Sequence, residues 1–279
     1  MQVLLTVREM RAACGAVCKN GQSLGLVPTM GALHAGHISL MRAARTQCDV
    51  VAASIFVNPK QFGPNEDFAK YPRTFEQDCA LLEAEGVALV FAPQPEEMYP
   101  AGASTLVEVE GVGDRLDGAS RPGHFRGVAT VVAKLFHIVA PNKAFFGQKD
   151  AAQVAVLHSM VRDLNFDLEL VVCPTVREPD GLALSSRNRY LSVPDRARAL
   201  VLSRALDVIS ANYRAGEKDV ARLLEAGHSV MATEPEVRID YLEIVDAATL
   251  LPLREAAAGA LVAVAAYVGN TRLIDNTIL

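Results

Sequence analysis

Clustered positive charge is the first thing this sequence lacks. Lys and Arg number 27 against 32 Asp and Glu, a formal net charge of −5. Proteins that grip nucleic acid need a concentrated basic footprint, so no nucleic-acid partner is expected. An anionic small molecule is still allowed, because a basic pocket can sit on an acidic protein. A membrane-spanning run is also missing: the most apolar stretch, Ala256–Val268, is too short. Met1–Leu5 has neither the basic start nor the long apolar core of a secretory leader, so none is expected. Cys14, Cys18, Cys48, Cys79 and Cys173 are scattered and show no zinc-finger spacing. They read as core thiols in a reduced, cytoplasmic setting. Internal repeats and low-complexity tracts are absent too. What remains is 279 residues, 51% apolar and 21% charged, enough for one large core or two smaller ones.

The N-terminal part alternates short apolar runs with helix-like segments. Strands are expected at Leu24–Val27, Asp49–Val57, Ala88–Phe91, Lys143–Phe146 and Leu168–Val172. Helices are expected at Gly36–Gln47, Phe75–Glu85, Gly127–Val139 and Ala151–Leu164. This alternation predicts an α/β fold, a Rossmann-like parallel sheet covered on both faces, with its ligand at the carboxyl ends of the strands. The texture changes at Pro174–Pro179. One long helix over Pro194–Tyr213, a second over Asp219–Thr233, and strands at Val237–Val245 and Leu261–Val268 predict a smaller C-terminal α+β domain. The expected boundary lies near Thr175, giving domains 1–175 and 176–279.

Five segments carry the chemistry. Pro28-Thr29-Met30-Gly31-Ala32-Leu33-His34-Ala35-Gly36-His37 leaves a strand and opens a helix. Exposed N–H groups and the dipole favour a phosphate there, Gly31 and Gly36 permit close approach, and two imidazoles three residues apart share a face. Zinc would need more ligands, and two buried histidines without partners would be costly. Nucleotide binding is therefore the favoured reading. Phe145–Gln153 is a second strand-to-helix junction. Lys149 is a point charge suited to phosphate, Asp150 is placed to cap the next helix, and Gln153 follows one turn on. By itself it fits a capped turn or a site equally well. Asp180–Asn188 offers Ser185, Ser186 and Arg187 as phosphate donors, or simply a polar interdomain loop. Asn58–Gly63 presents Gln61. Arg121–Gly127 supplies basic residues that could clamp an anion or cap a loop.

These segments, in this order, resemble the pantothenate synthetase (pantoate–β-alanine ligase) family, within the nucleotidylyltransferase superfamily that carries His-x-Gly-His. The match runs through Pro28–Leu40, Phe56–Gly63, Arg121–Val132, Phe146–Gln153 and Arg177–Asn188. The resemblance implies an ATP- and Mg2+-dependent condensation of pantoate with β-alanine through pantoyl adenylate, in a homodimer formed by the N-terminal domain. It implies an ATP site of Met30, Gly31, Ala32, Leu33, His34, Ala35, Gly36, His37, Gly147, Gln148, Lys149, Asp150, Val176, Leu184, Ser185, Ser186 and Arg187. Of these, His34, His37, Lys149 and Arg187 would act on the phosphates, with His37 as the family's proton donor. Gln61 and Gln153 would hold pantoate, with Gln61 also near β-alanine, and Asp78 stands where the family can place a magnesium-binding acid. Leu184 replaces a common Met, an apolar exchange that should be tolerated. Because an acyl adenylate is labile in water, the C-terminal domain is expected to close, with Pro179–Arg187 as its lid. Three other readings compete: a nucleotidyltransferase of the same fold making a dinucleotide or CDP-alcohol, a noncatalytic nucleotide sensor, and an RNA-binding synthetase fragment.

Overall fold

Apolar runs separated by amphipathic helices assemble into two units in this computed structural model, which describes residues 1–64 and 66–279. The first unit comprises Met1–Gly147 and Val156–Cys173; the second comprises Gln148–Ala155 and Pro174–Leu279. Apart from Gln148–Ala155, which groups with the C-terminal residues, the chain passes from the first unit to the second at Cys173–Pro174.

In chain order the elements up to Cys173 are β1 (Gln2–Leu4), α1 (Val7–Lys19), β2 (Leu24–Thr29), α2 (Ala35–Gln47), β3 (Val50–Ile55), α3 (Phe75–Ala84), β4 (Leu89–Phe91), α4 (Pro95–Met98), α5 (Asp117–Ser120), α6 (His124–Val139), β5 (Lys143–Gly147), α7 (Ala151–Asp163) and β6 (Glu169–Cys173). The six strands are parallel in the order β1-β4-β3-β2-β5-β6. The core on one side of the sheet joins Val27, Val51, Ala53 and Val90 to Leu40, Met41 and Ala44 of α2 and Leu82 of α3. Capping matches the sequence chemistry. Thr6 and Glu9 form a reciprocal box at the start of α1.

The order reverses at β2, with β3 on one side and β5 on the other. Such a switch point opens a crevice at the strands' carboxyl ends. The ladder agrees: β2 pairs with β3 over six residues but with β5 only at Gly25 and Leu26. Pro28 lies beyond that short ladder, where its missing N–H costs no sheet bond. The Met30–His37 turn leaves β2 at this crevice, and Gly147 ends β5.

The second unit adds α8 (Val193–Ala199), α9 (Val201–Arg214), α10 (Val220–Met231) and an antiparallel sheet β7-β8-β9 (Val237–Val245, Leu261–Val268, Thr271–Ile278). Leu202, Leu206 and Ile209 of α9 and Leu223 of α10 pack with Leu242, Val262 and Val264 of the sheet. The single helix expected over Pro194–Tyr213 is two, parted at Leu200; no Pro or Gly there signals the break. Helix α6 starts at His124 rather than Gly127, because Gly123 takes a left-handed φ of 82° and turns the chain into it. Strand β9 was not anticipated: buried Asp275 and Asn276 interrupt its apolar pattern.

Candidate active site

The β2 exit turn is locked at its base. Thr29 Oγ1 donates to Ser54 O at 2.6 Å and accepts from Gly31 N at 3.1 Å. Gly31 and Ala32 then both take left-handed φ values, 79° and 50°. The chain straightens at His34 (φ −145°), which caps α2. His34 Nδ1 accepts from Gly36 N at 3.2 Å, and His37 Nδ1 accepts from His34 N at 3.3 Å. A ring nitrogen that accepts carries no proton, so these bonds assign both protons to Nε2. The ring centroids are 4.1 Å apart. The turn thus presents two neutral imidazoles as Nε2–H donors beside a helix N-terminus, a combination that suits an anionic group.

Asp78 lies beneath this turn and is 1% exposed. Its Oδ2 accepts from Ala32 N at 2.9 Å and its Oδ1 from Leu33 N at 2.8 Å, while the Thr74 hydroxyl donates at 3.2 Å to each oxygen. Hydrogen bonds to a charged acceptor contribute about 1.5–3 kcal/mol each. A left-handed alanine costs about 1–2 kcal/mol, so the pair outweighs the strain. Each Asp78 oxygen, expected to face magnesium, is thus an acceptor for the turn's own N–H groups. Cations and N–H donors compete for the same lone pairs, and here the donors hold them. Among the described residues, no three His, Cys, Asp or Glu side chains are grouped to hold a metal.

Gln61 ends the 3₁₀ turn Pro59–Gln61. Its Nε2 reaches Met30 Sδ at 3.2 Å, and its Oε1 accepts from Asn58 Nδ2 at 3.0 Å. The structure thus brings Gln61 to the β2 turn. Asn58, 1% exposed, also donates to Gly127 O and accepts from the Tyr99 hydroxyl and Lys60 N. Burial raises the pKa of that hydroxyl and keeps it protonated as a donor. On its other side Gln61 O takes His124 Nδ1 at 2.8 Å. Arg121 faces His124 Nε2 at 3.0 Å and forms a bidentate pair with Glu66. Burial first, then the Arg121 charge, hold the His124 pKa down to about 4, so the ring is neutral. Burial works to raise the Glu66 carboxyl, but the Arg121 bond and charge outweigh it and leave it lowered. Within Arg121–Gly127, His124 and Arg121 therefore brace the Gln61 backbone.

In the second unit, Gln148–Asp150 form one 3₁₀ turn ahead of α7. Asn276 Nδ2 donates to Gln148 O at 2.9 Å and Lys149 O at 2.8 Å, and its Oδ1 accepts from Gln148 Nε2. Lys149 Nζ lies 3.4 Å from Asp150 Oδ1. Gln153 is half-buried in the first turn of α7. Val176–Leu184 folds back on itself: Leu184 N reaches Val176 O at 2.9 Å, and Gly181 turns at φ 95°. Ser185 then caps the turn Ser186–Tyr190 by accepting from Arg187 N. Arg177 anchors the loop to buried Asp275 with bonds of 2.6 and 2.9 Å. Asn188 binds Glu178 and Ala183 O, and Arg196 pairs with Glu178 and Asp180. Lys149 and the Ser185–Arg187 turn thus hang from neighbouring residues of β9.

Sequence reasoning singled out neither Asn58's central role nor Asp275 and Asn276. A polar run, Asp275-Asn276, in an otherwise strand-like stretch was the available signal for the latter pair.

A family model described as pantoate-beta-alanine ligase matches residues 2–278. A curated pantothenate synthetase from Acidobacterium capsulatum is 70% identical over 258 residues, 92% of this chain and 86% of the relative. One from Koribacter versatilis is 63% identical over 279 residues, 100% of this chain and 96% of its own. The crystal structure of pantothenate synthetase from Thermus thermophilus superposes with a TM-score of 0.94 at 51% identity, covering 99% of both chains. That of pantoate-beta-alanine ligase from Francisella tularensis, complexed with beta-gamma ATP and beta-alanine, gives 0.82 at 35% identity, covering 100% of this chain and 97% of that one. With a model matched almost end to end, relatives this similar and a parallel sheet whose switch point carries the His34–His37 turn, the chain belongs to the pantoate–β-alanine ligase family.

Proposed function

We propose that this chain joins pantoate to β-alanine at the expense of ATP, releasing AMP and pyrophosphate through pantoyl adenylate. The observation that carries this reading is the β2 exit turn, where two Nδ1-anchored imidazoles present Nε2–H donors at a helix N-terminus. In the first step a pantoate carboxylate oxygen bonds to the α-phosphorus as the bond to the bridging β-phosphate oxygen breaks. Negative charge passes to pyrophosphate. His34 and His37 donate to it, and Lys149, Ser185, Ser186 and Arg187 complete the set of donors. A neutral His37 with its proton on Nε2 can stabilise that charge or give the proton up. In the second step the β-alanine amine attacks the acyl carbon, loses a proton and displaces AMP.

Gln61 and Gln153 hold pantoate in this reading. The Gln61 amide is already oriented by Asn58. Met30–His37, Gly147–Asp150, Val176 and Leu184–Arg187 form the ATP site. Magnesium enters as the counter-ion of the triphosphate rather than as a ligand of Asp78, and no step assigned to a residue runs through it. The C-terminal unit serves as the lid. Its Pro179–Arg187 segment moves with the unit rather than alone, since Arg196, Asn188 and Arg177 tie it down. The working form is a cytoplasmic homodimer built by the N-terminal unit. Residues 103–109 of that unit belong to no helix or strand, and Leu106 among them is 45% exposed. No helix among the described residues is long and apolar enough to cross a membrane.

The test is AMP formation from ATP, pantoate and β-alanine, with each omitted in turn. All three should be required. No AMP with all present, or pyrophosphate release indifferent to pantoate, sinks the reading. His37→Ala should lower turnover by about 100-fold or more while the fold persists; a near-native rate would remove His37 from the chemistry.

A further inference from the structure

We propose that Asp78 is a positioning residue for ATP: its buried carboxylate clasps the strained Gly31–Leu33 turn and so sets where His34 and His37 point. The proposal rests on the reading that these histidines face the triphosphate.

Two consecutive left-handed residues, Gly31 and Ala32, are a weak point in the chain. Alanine seldom stays in this conformation unless its surroundings hold it there. A small rotation at either residue swings Leu33 and with it the His34 cap, which supports His37 through the His34 N–H. Asp78 is placed to prevent that rotation. Each of its oxygens takes one of two successive N–H groups, Ala32 and Leu33, so the carboxylate grips the turn at two points. Thr74 braces both oxygens from the cap position of α3. The negative charge is itself favoured in the first turn of α3 by the helix dipole.

The fit is tight on the side facing the turn. A Cβ at Gly31 would lie 3.0 Å from Asp78 Oδ2 and 3.1 Å from Ile55 Cγ2. No volume remains there for a hydrated cation, and a carboxylate drawn toward a metal would release both backbone donors. An acid where the family can hold magnesium serves in this chain as the turn's anchor.

The decisive experiment follows pantoate-dependent exchange of pyrophosphate into ATP, which reports the adenylation half-reaction. It compares wild type, Asp78→Asn, Ala32→Gly and the double variant, each well below its melting temperature. Asn keeps one acceptor but sets an N–H against a backbone N–H. Asp78→Asn should lower the exchange kcat about tenfold or more, as expected when a buried charged hydrogen bond is lost. The pantoate KM and the magnesium concentration for half-activity should stay within about twofold of wild type. Ala32→Gly removes the left-handed penalty, so the double variant should regain about threefold or more of the lost kcat.

Full activity of Asp78→Asn would overturn the proposal. So would a shifted magnesium requirement that Ala32→Gly does not rescue, the pattern of a lost metal ligand. If Asp78→Asn does not fold, Thr74→Val removes only the brace. It should lose exchange several-fold at unchanged magnesium dependence, and native exchange or a magnesium shift would again overturn the proposal. Absence of exchange in the wild type defeats the functional reading itself, an outcome distinct from any variant's behaviour.

Discussion

Replacing Gly127 with alanine sets two effects of opposite sign against each other. In an exposed helix interior the change stabilises by about 1 kcal/mol. In α6 the added Cβ would overlap the carbonyl carbon and oxygen of Lys60 and lie 2.7 Å from Gln61 Cα. All three atoms are backbone, so no side-chain rotamer can relieve the overlap. The 3₁₀ turn Pro59–Gln61 has to move off the helix. Overpacking costs about 1–3 kcal/mol, and a backbone obstacle belongs at the upper end. The net is a loss of about 2 kcal/mol, which lowers the melting temperature by roughly 4–8 °C for a unit of this size. The same shift disturbs function, because Gly127 O accepts from Asn58 Nδ2, which also holds Gln61 Oε1. A misplaced amide that loses one hydrogen bond, about 1.4 kcal/mol, should raise the pantoate KM about tenfold and leave the ATP KM near native. Calorimetry combined with pyrophosphate exchange at varied pantoate reads both quantities. A higher melting temperature with an unchanged pantoate KM would mean that helix propensity won and that Gln61 does not depend on this contact.

Gly147→Ala should behave in the opposite way. A Cβ there meets no protein atom within 4 Å, so stability should hold or rise by up to about 1 kcal/mol, while the ATP KM should rise if the nucleotide approaches this backbone. Unchanged ATP kinetics would place the nucleotide elsewhere. His124 is neutral in the fold, with its pKa held down to about 4, and regains an ordinary value near 6.5 on unfolding. Its contribution to stability is complete above about pH 6.5 and is lost as the pH falls toward 4, since the unfolded chain then binds the extra proton. Melting temperatures from pH 7 to 4.5 should fall less steeply for His124→Asn than for the wild type; parallel curves would exclude His124 as the source. Asn276→Ala strips the donors from Gln148 O and Lys149 O. Turnover should fall about tenfold with the pantoate KM unchanged, as expected if a bond worth about 1–2 kcal/mol positions Lys149. A native rate would show that the Lys149 turn holds itself.

Local chemistry explains which parts of this molecule could be read in advance. The strand–helix alternation from Leu24 to Cys173 is a run of strong periodic signals, and the sheet follows from it by packing rules. The β2 exit turn announces itself because glycine, histidine and a helix start lie within ten residues. What could not be read depends on partners distant in sequence. Asp78 meets the turn across 46 residues, and Asn276 meets Gln148 across 128. Nothing near either residue says which lone pairs will be taken. Strand β9 stayed hidden for a related reason. Its two buried polar residues look like a break in a strand, yet they are buried because they serve the loops around them.

In each unit by itself, the candidate residues are held in a similar way. Several segments proposed to meet phosphate or pantoate are anchored by a buried polar residue that would touch neither. Asp78 stands behind His34, Asn58 behind Gln61, Asn276 behind Lys149, and Asp275 behind the Arg177 loop. Each support is at most 5% exposed, where an unmet hydrogen bond is costly and a met one is rigid. That arrangement suits a reaction whose first step needs fixed donors around a departing pyrophosphate, because donors already in place need not reorganise as the charge develops. It also implies that substitutions at Asp78, Asp275 and Asn276 should lower turnover while leaving the pantoate KM near native.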